Sequence, residues 1–214
     1  MLVEDDEEMR SSLQWMLNAE GIKVSSYATP AELLNDFDPE QPGCLVLDLK
    51  LPGMSGMALR EQLVHRGCYH PFIIITGHGN VTNAVNAMRQ GAVHFLQKPF
   101  DHDSLLNCVK EAFAKDEQSR KEKAALNELE VLMSSLTRRE REVLELVVDG
   151  RLTKQIANDL GISSKTVEVH RSNITKKFGV ESVAQLVQMV AQYRAAKQAG
   201  NQLHTSSPGS EDDA

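Results

Sequence analysis

The apolar positions of the first hundred residues follow two alternating rhythms. Short runs stand at Leu2-Val3, Ile22 to Tyr27, Cys44 to Leu47, Phe72 to Ile75 and Ala92 to Leu96, with the length and composition of buried strands. Between them the spacing becomes helical. Met9, Leu13, Met16 and Leu17 recur at i, i+4, i+7 and i+8 and stop at Gly21, and Val81, Ala84, Val85 and Met88 do the same between Asn80 and Gln90, before Gly91; a glycine at that point is a natural C-terminal stop. Thr29-Pro30 reads as an N-cap followed by proline in the first helical turn. Five such alternations predict a doubly wound α/β domain around a parallel sheet.

From residue 103 onward only the helical rhythm remains. Leu105, Leu106, Val109 and Phe113 share one face, and the highly charged Lys115 to Glu130 continues as a helical linker. Leu136-Thr137-Arg138-Arg139-Glu140 carries a capping box that starts a helix running through Val148 and ending at Asp149-Gly150. Lys154 to Leu160 forms a short helix, Gly161 turns the chain, and Ser163 or Ser164 caps a second helix to about Phe178, whose Val167, Ile174 and Phe178 face a core. Helix, tight turn, helix is a DNA-binding arrangement. The expected divisions are therefore residues 1–115, a linker at 116–132, an all-α domain at 133–197, and a polar, disordered tail at 198–214.

Charge separates the same modules. The 214 residues sum to −7, but this total hides −6 over residues 1–115, −2 over 116–132, +4 over 133–199 and −3 over 200–214. A basic rear half faces a polyanion. With 41% hydrophobic residues the chain can build ordinary cores, yet its apolar stretches are too short to span a membrane. Five of the first eight residues are acidic, the opposite of a signal peptide, so a cytoplasmic location is expected. Cys44, Cys68 and Cys108 show no metal-ligand spacing and read as reduced core fillers. His78, in Thr76-Gly77-His78-Gly79, reads as a loop residue tuning water access, and His65, His70, His94, His102 and His204 as surface residues.

Asp48 closes the Cys44-Leu45-Val46-Leu47 run, at the end of a strand where an open parallel sheet forms its ligand crevice. Three other strand ends hold Glu4-Asp5, Thr76 and Lys98. A carboxylate can attack a phosphoryl donor to give an acyl phosphate. It then needs a divalent cation, for which Glu4-Asp5 beside Asp48 suit Mg²⁺, together with a hydroxyl and an ammonium to hold the phosphoryl oxygens. Each piece alone has a plainer reading: Thr76 as a strand end, Lys98 as a surface lysine, Glu4-Asp5 as part of a solvated acidic run. Together they specify one site.

This arrangement resembles the receiver domain of two-component response regulators, a flavodoxin-like (βα)5 fold with a parallel five-stranded sheet, over about residues 1–115. The resemblance implies that Asp48 is the phospho-acceptor, Asp5 a direct Mg²⁺ ligand and Glu4 its water-linked neighbour, registered by Arg10. Lys50 would offer its main-chain carbonyl to the metal. Thr76 and Lys98 would sense the phosphate, with Lys98-Pro99 cis, and Phe95 would be the switch aromatic. Leu136 to Val190 resembles the LuxR-type DNA-binding domain, and Thr166-Val167-Glu168-Val169-His170-Arg171 is similar to the FixJ subgroup. Lys154, Lys165 and Thr166 would touch phosphates; Val169 and Arg171 would approach bases, with His170, Asn173, Lys176 and Lys177 completing the DNA-binding set. Glu168 departs from relatives carrying Lys there, and either accepts a hydrogen bond from cytosine or solvates the helix. The closing helix, Ser182 to Lys197, with Val183, Leu186, Val187 and Val190, forms a dimer face or covers its own core.

The function implied is a transcriptional switch rather than an enzyme. A sensor histidine kinase phosphorylates Asp48, the protein homodimerises, and double-stranded DNA is bound, with RNA polymerase a candidate partner and no membrane involved. One rival is an aspartyl-phosphate phosphohydrolase; such enzymes place a second Asp two residues after the nucleophile, where this chain has Lys50. The other is a regulator that ignores phosphorylation. Only three residues precede Glu4, whereas a central strand runs to about five. A short first strand from a truncated or misassigned start, with a looser wall to the Asp48 pocket, is therefore expected.

Overall fold

The computed structural model describes residues 1–77 and 81–204; the expectation for His78 and for residues 205–214 lies outside them. The front half contains β1 (Leu2–Val3), α1 (Glu7–Ala19), β2 (Ser26–Tyr27), α2 (Pro30–Asp36), β3 (Leu45–Asp48), β4 (Lys50–Leu51), β5 (Met54–Ser55), α3 (Gly56–His65), β6 (Phe72–Thr76), α4 (Val81–Arg89) and β7 (His94–Gln97). Five strands form one parallel sheet in the order β2-β1-β3-β6-β7, the parallel sheet that the alternation predicts, in the flavodoxin-like order that the resemblance to receiver domains implies. The antiparallel β4–β5 ladder was not anticipated.

Period-two alternation divides the sheet's side chains between two layers. Leu2, Val46, Ile73 and Ile75 meet Leu13 and Leu17 of α1 and Leu105 and Val109 of the helix that follows β7. Val3, Leu45, Leu47, Phe72 and Ile74 meet Leu33 of α2, Leu59 and Leu63 of α3 and Ala87 of α4. β1 has two residues, as expected, and its two rungs, Leu2 to Ser26 and Val3 to Tyr27, explain why β2 is no longer. The Ser25 carbonyl accepts from the Leu2 amide at 2.9 Å, but among the described residues Ile22 to Val24 has no strand beside it, so the predicted strand shrinks to its last two residues. The apolar stripe on α4 also departs from a core-facing reading. Val81, Val85 and Met88 are exposed, while the small Ala87 packs inward.

After β7, α5 runs unbroken over His102–Ser134. The compact unit that contains the sheet extends to Lys121 rather than 115, because α5 is pinned there by a polar network. Asp116 is buried and accepts from the Gly43 amide at 2.9 Å and from Arg120 Nε at 2.8 Å. The Arg120 guanidinium also donates to the carbonyls of Glu40 and Gln41, at 2.9 and 2.7 Å. His70 belongs to this network and is buried, not on the surface. Its Nε2 lies 2.6 Å from the Gln41 carbonyl, and burial holds its pKa below the ordinary histidine value. All three cysteines are free and buried, as expected.

The second unit, residues 122–214, contains the end of α5, α6 (Arg138–Val148), α7 (Thr153–Leu160), α8 (Ser164–Phe178) and α9 (Val183–His204). Its core joins Val143, Leu144, Ile156, Val167, Ile174 and Phe178 to Leu186 and Val190 of α9. The closing stripe thus covers the domain's own core. α9 runs as helix through His204, past residue 198 where the sequence places the start of the tail.

The α6 capping box forms as predicted, with the Thr137 hydroxyl accepting from the Glu140 amide while the Glu140 carboxylate accepts from the Thr137 amide. Lys177 of α8 completes it, its Nζ 2.7 Å from Glu140 Oε2 and 2.9 Å from the Ser135 carbonyl. The hydrogen bond from Lys177, above all, holds the Glu140 carboxyl below its ordinary value of 4.5. A carboxylate with a lowered folded pKa adds stability above its unfolded value and loses it as pH falls through the folded one. Resistance of this unit to urea is therefore expected to decline as the solution is acidified below about pH 5. Lys177→Met, which leaves a buried carboxylate without its ammonium, should cost about 1–3 kcal/mol at neutral pH and flatten the acid slope. Urea titrations followed by circular dichroism at several pH values measure both; an unchanged slope in the variant would contradict this role.

Candidate functional site

Strand register brings the predicted residues to one edge. Val3 pairs with Leu47, Asp48 with Ile75 and Thr76 with Gln97, so Glu4, Asp48, Thr76 and Lys98 all stand at the C-terminal ends of neighbouring strands. Glu4, Asp48 and Thr76 are 1%, 5% and 0% exposed, while Asp5 lies open to solvent. Lys98 Nζ is 2.5 Å from Asp48 Oδ2 and 2.7 Å from Glu4 Oε2. The Lys98 amide donates to the Thr76 carbonyl at 2.8 Å, and the Lys98–Pro99 bond is cis, as expected.

Burial is the largest influence on Glu4 and raises its pKa, reinforced by the charges of Asp48 and Asp5 and opposed by Lys98. Burial also acts most strongly on Lys98, pulling its pKa down, but hydrogen bonds to Asp48 and Glu4 outweigh it and the net shift is upward. Lys98 therefore stays an ammonium between two carboxylates. Carboxylate oxygens of Glu4, Asp5 and Asp48 lie within 4.8 Å of one another. A cluster of hard oxygen donors around one point fits a small divalent cation. Arg10 fixes the acidic pair by donating to the carbonyls of Glu4 and Asp5 at 2.8 and 3.2 Å.

The loop after Asp48 is held by contacts that local sequence did not announce. The Lys50 amide donates to Asp48 Oδ1 at 2.8 Å, while its side chain is exposed. Gly56 opens α3 directly beneath Asp48, and a Cβ there would lie 2.2 Å from the Asp48 carbonyl oxygen. The Gly56 amide in turn donates to the Leu49 carbonyl at 3.0 Å. Pro52-Gly53 marked a turn in the sequence, but nothing nearby distinguished Gly56 from an ordinary first-turn glycine. Phe95, on β7, is half-buried against the Leu47 and Ile74 layer.

In the second unit α7, Gly161 at φ 64° and α8 build the predicted helix-turn-helix, with Ser163 as the cap of α8. Lys154, Lys165, Thr166, Val169, Asn173 and Lys176 are exposed and His170 is half-buried. Two other proposed DNA contacts are already engaged within the domain. Arg171 donates to the Thr153 hydroxyl at 2.8 Å, tying α8 to α7, and the Lys177 ammonium is held by Glu140. Both serve to fix the two helices against their neighbours.

A sheet in this order with an acidic pocket at its C-terminal edge, joined to a helix-turn-helix unit, defines a receiver-type regulator. Comparison with known families agrees: the response regulator receiver domain matches residues 1–110, and the luxR family of bacterial regulatory proteins matches residues 134–190. The chain belongs to the response regulators that couple a receiver to a LuxR-type DNA-binding domain, within the FixJ-like transcriptional regulators. It is similar to the transcriptional regulatory protein FixJ of Azorhizobium caulinodans, 38% identical across 88% of this chain and 89% of that one. It is also similar to the response regulator protein TodT of Pseudomonas putida, 37% identical across 88% and 83%. Among solved structures, response regulator StyR superposes with a TM-score of 0.81 at 42% identity, covering 90% of this chain and 97% of that one.

Gly56→Ala is expected to destabilise the receiver by about 1–3 kcal/mol, because the new methyl group must displace the Asp48 backbone. Thermal melts and acetyl phosphate labelling should show a lowered Tm together with slowed phosphorylation. A variant with wild-type values for both would show that the close approach is dispensable.

Proposed function

We propose that Asp48 accepts a phosphoryl group from a sensor histidine kinase and that this modification controls sequence-specific DNA binding by the helix-turn-helix unit. The observation that supports it most is the Lys98 ammonium, 2.5 Å from Asp48 and 2.7 Å from Glu4, beside buried Thr76. Asp48 attacks phosphorus, its new O–P bond replacing the N–P bond of the kinase phosphohistidine. Lys98 pairs with the added negative charge and the Thr76 hydroxyl donates to a phosphoryl oxygen. Asp5 and Asp48, with Glu4 beside them and the Lys50 carbonyl, would hold Mg²⁺, whose charge would offset that of the transferring group. The exposed Lys50 at the second position after Asp48, where phosphohydrolases of this chemistry place an acid, favours a switch over turnover of a free substrate.

The output follows from the neighbouring elements. Redirecting Thr76 and Lys98 moves the ends of β6 and β7 and lets Phe95 turn further inward, which alters the face that α4 forms with β7. On that face Val81, Val85 and Met88 are exposed, an apolar stripe that suits a second copy of the chain. Homodimerisation places two recognition helices on a two-fold operator in the cytoplasm, where RNA polymerase is the partner whose access or recruitment is changed. Among the described residues no helix is long and apolar enough to cross a membrane.

DNA affinity measured with and without beryllofluoride and Mg²⁺ tests the reading. The wild type should bind its operator about tenfold or more tightly when activated, and Asp48→Ala should lose that gain. Activation-dependent binding that survives in Asp48→Ala would refute it. Met88→Asp should be phosphorylated normally, yet its activated form should sediment as a monomer at concentrations where the wild type is dimeric; a dimeric variant would remove α4 from the interface.

A further inference from the structure

α8 presents an outward face whose chemistry the DNA-binding reading leaves unexplained. Lys165, Val169, Ser172 and Lys176 point away from buried Val167, Ile174 and Phe178, with Glu168 and Asn173 on the flanks. Among the described residues, Lys165, Glu168, Ser172, Asn173 and Lys176 have no side-chain hydrogen bond or ion pair within the protein. The neighbours that could have neutralised Glu168 do not. Lys165, three residues before it, leaves it unpaired, and Arg171, three residues after it, is committed to Thr153.

A free carboxylate among cations on a helix meant for DNA carries a cost. It repels the phosphates that supply most of the affinity, at every sequence alike. A hydrogen bond accepted from a base would offset that cost at the sequences that supply it. Two bases offer an amino group in the major groove: cytosine at N4 and adenine at N6. Adenine sets the N7 lone pair beside its amino group, which repels a second acceptor, whereas cytosine presents N4 without one. Val169, next along the same face, is 52% exposed and offers only methyl groups, the complement of a thymine methyl.

Resting on the DNA-binding reading above, we infer that Glu168 is a specificity-determining residue that accepts a hydrogen bond from the N4 amino group of one cytosine in each half-site, with Val169 against the methyl of a nearby thymine.

The test is selection from randomised DNA by the full-length protein activated with beryllofluoride and Mg²⁺, comparing the wild type with Glu168→Ala and Glu168→Gln. Position 168 is solvent-exposed, so both variants should fold, with circular dichroism as the check. The wild type should favour cytosine at one half-site position by about five- to 150-fold. Glu168→Ala should lose preference at that position alone while binding unrelated DNA more tightly. Glu168→Gln, whose amide both donates and accepts, should shift that position toward adenine. If both variants keep the wild-type preference everywhere and merely bind all DNA more tightly, Glu168 only repels phosphates and the inference fails. If none of the three selects any sequence, the DNA-binding reading itself fails.

Discussion

Two carboxyl groups buried at the edge of a parallel sheet need a positive charge close by, and here the ammonium of Lys98 lies between Glu4 and Asp48. The cost of dehydrating Glu4, Asp48 and Lys98 is recovered only in close geometry, because an unpaired charge at this depth would be strongly destabilising. Much of the receiver can be read as the apparatus that keeps this geometry. The ladders align the ends of β1, β3, β6 and β7, Arg10 holds the backbone of Glu4 and Asp5, and Gly56 leaves room for the Asp48 carbonyl. A phosphoryl group on Asp48 would add negative charge to a cluster that already sets three carboxyl groups around the Lys98 ammonium. On the function proposed above Lys98 would answer that charge, and the hydrogen bond from its amide to the Thr76 carbonyl ties the ends of β6 and β7 together there.

The DNA-binding unit follows the same rule with different parts. Its buried carboxylate, Glu140, caps α6 and is neutralised by Lys177 from α8, while Arg171 ties α8 back to α7. Two of the four long cations of α8 thereby become internal fasteners. The remaining two, Lys165 and Lys176, share the outward face with a carboxylate, a valine and small polar groups. α5 has its own anchor, in which Asp116 and Arg120 satisfy loop backbone groups that would otherwise be left without partners.

What could be read from the sequence was whatever depended on local pattern. Asp48, Thr76 and Lys98 stood out because each ended an apolar run, and the caps at Thr29, Thr137 and Ser163 because capping is decided within three residues. What escaped depended on distant partners. His70 looked like a surface residue because Gln41 and Arg120, which enclose it, lie 29 and 50 residues away. Lys177 and Arg171 looked free because helical spacing shows that a side chain is exposed but not which neighbour holds it. The α4 stripe showed the reverse ambiguity: Val81, Val85 and Met88 form a true apolar face, but the core took the smaller Ala87 and left the larger residues outside. Gly56 required knowledge of a backbone approach that no spacing encodes.

The central claim is that this cluster exists to receive a phosphoryl group at one atom site. Reductive trapping with borohydride converts an aspartyl phosphate to homoserine, which tandem mass spectrometry locates in the sequence. After incubation with acetyl phosphate and Mg²⁺, homoserine is expected at position 48 and at no other aspartate, including neighbouring Asp5. Conversion at a different carboxylate, or a stable phosphate on a serine, threonine or histidine with Asp48 untouched, would contradict the account.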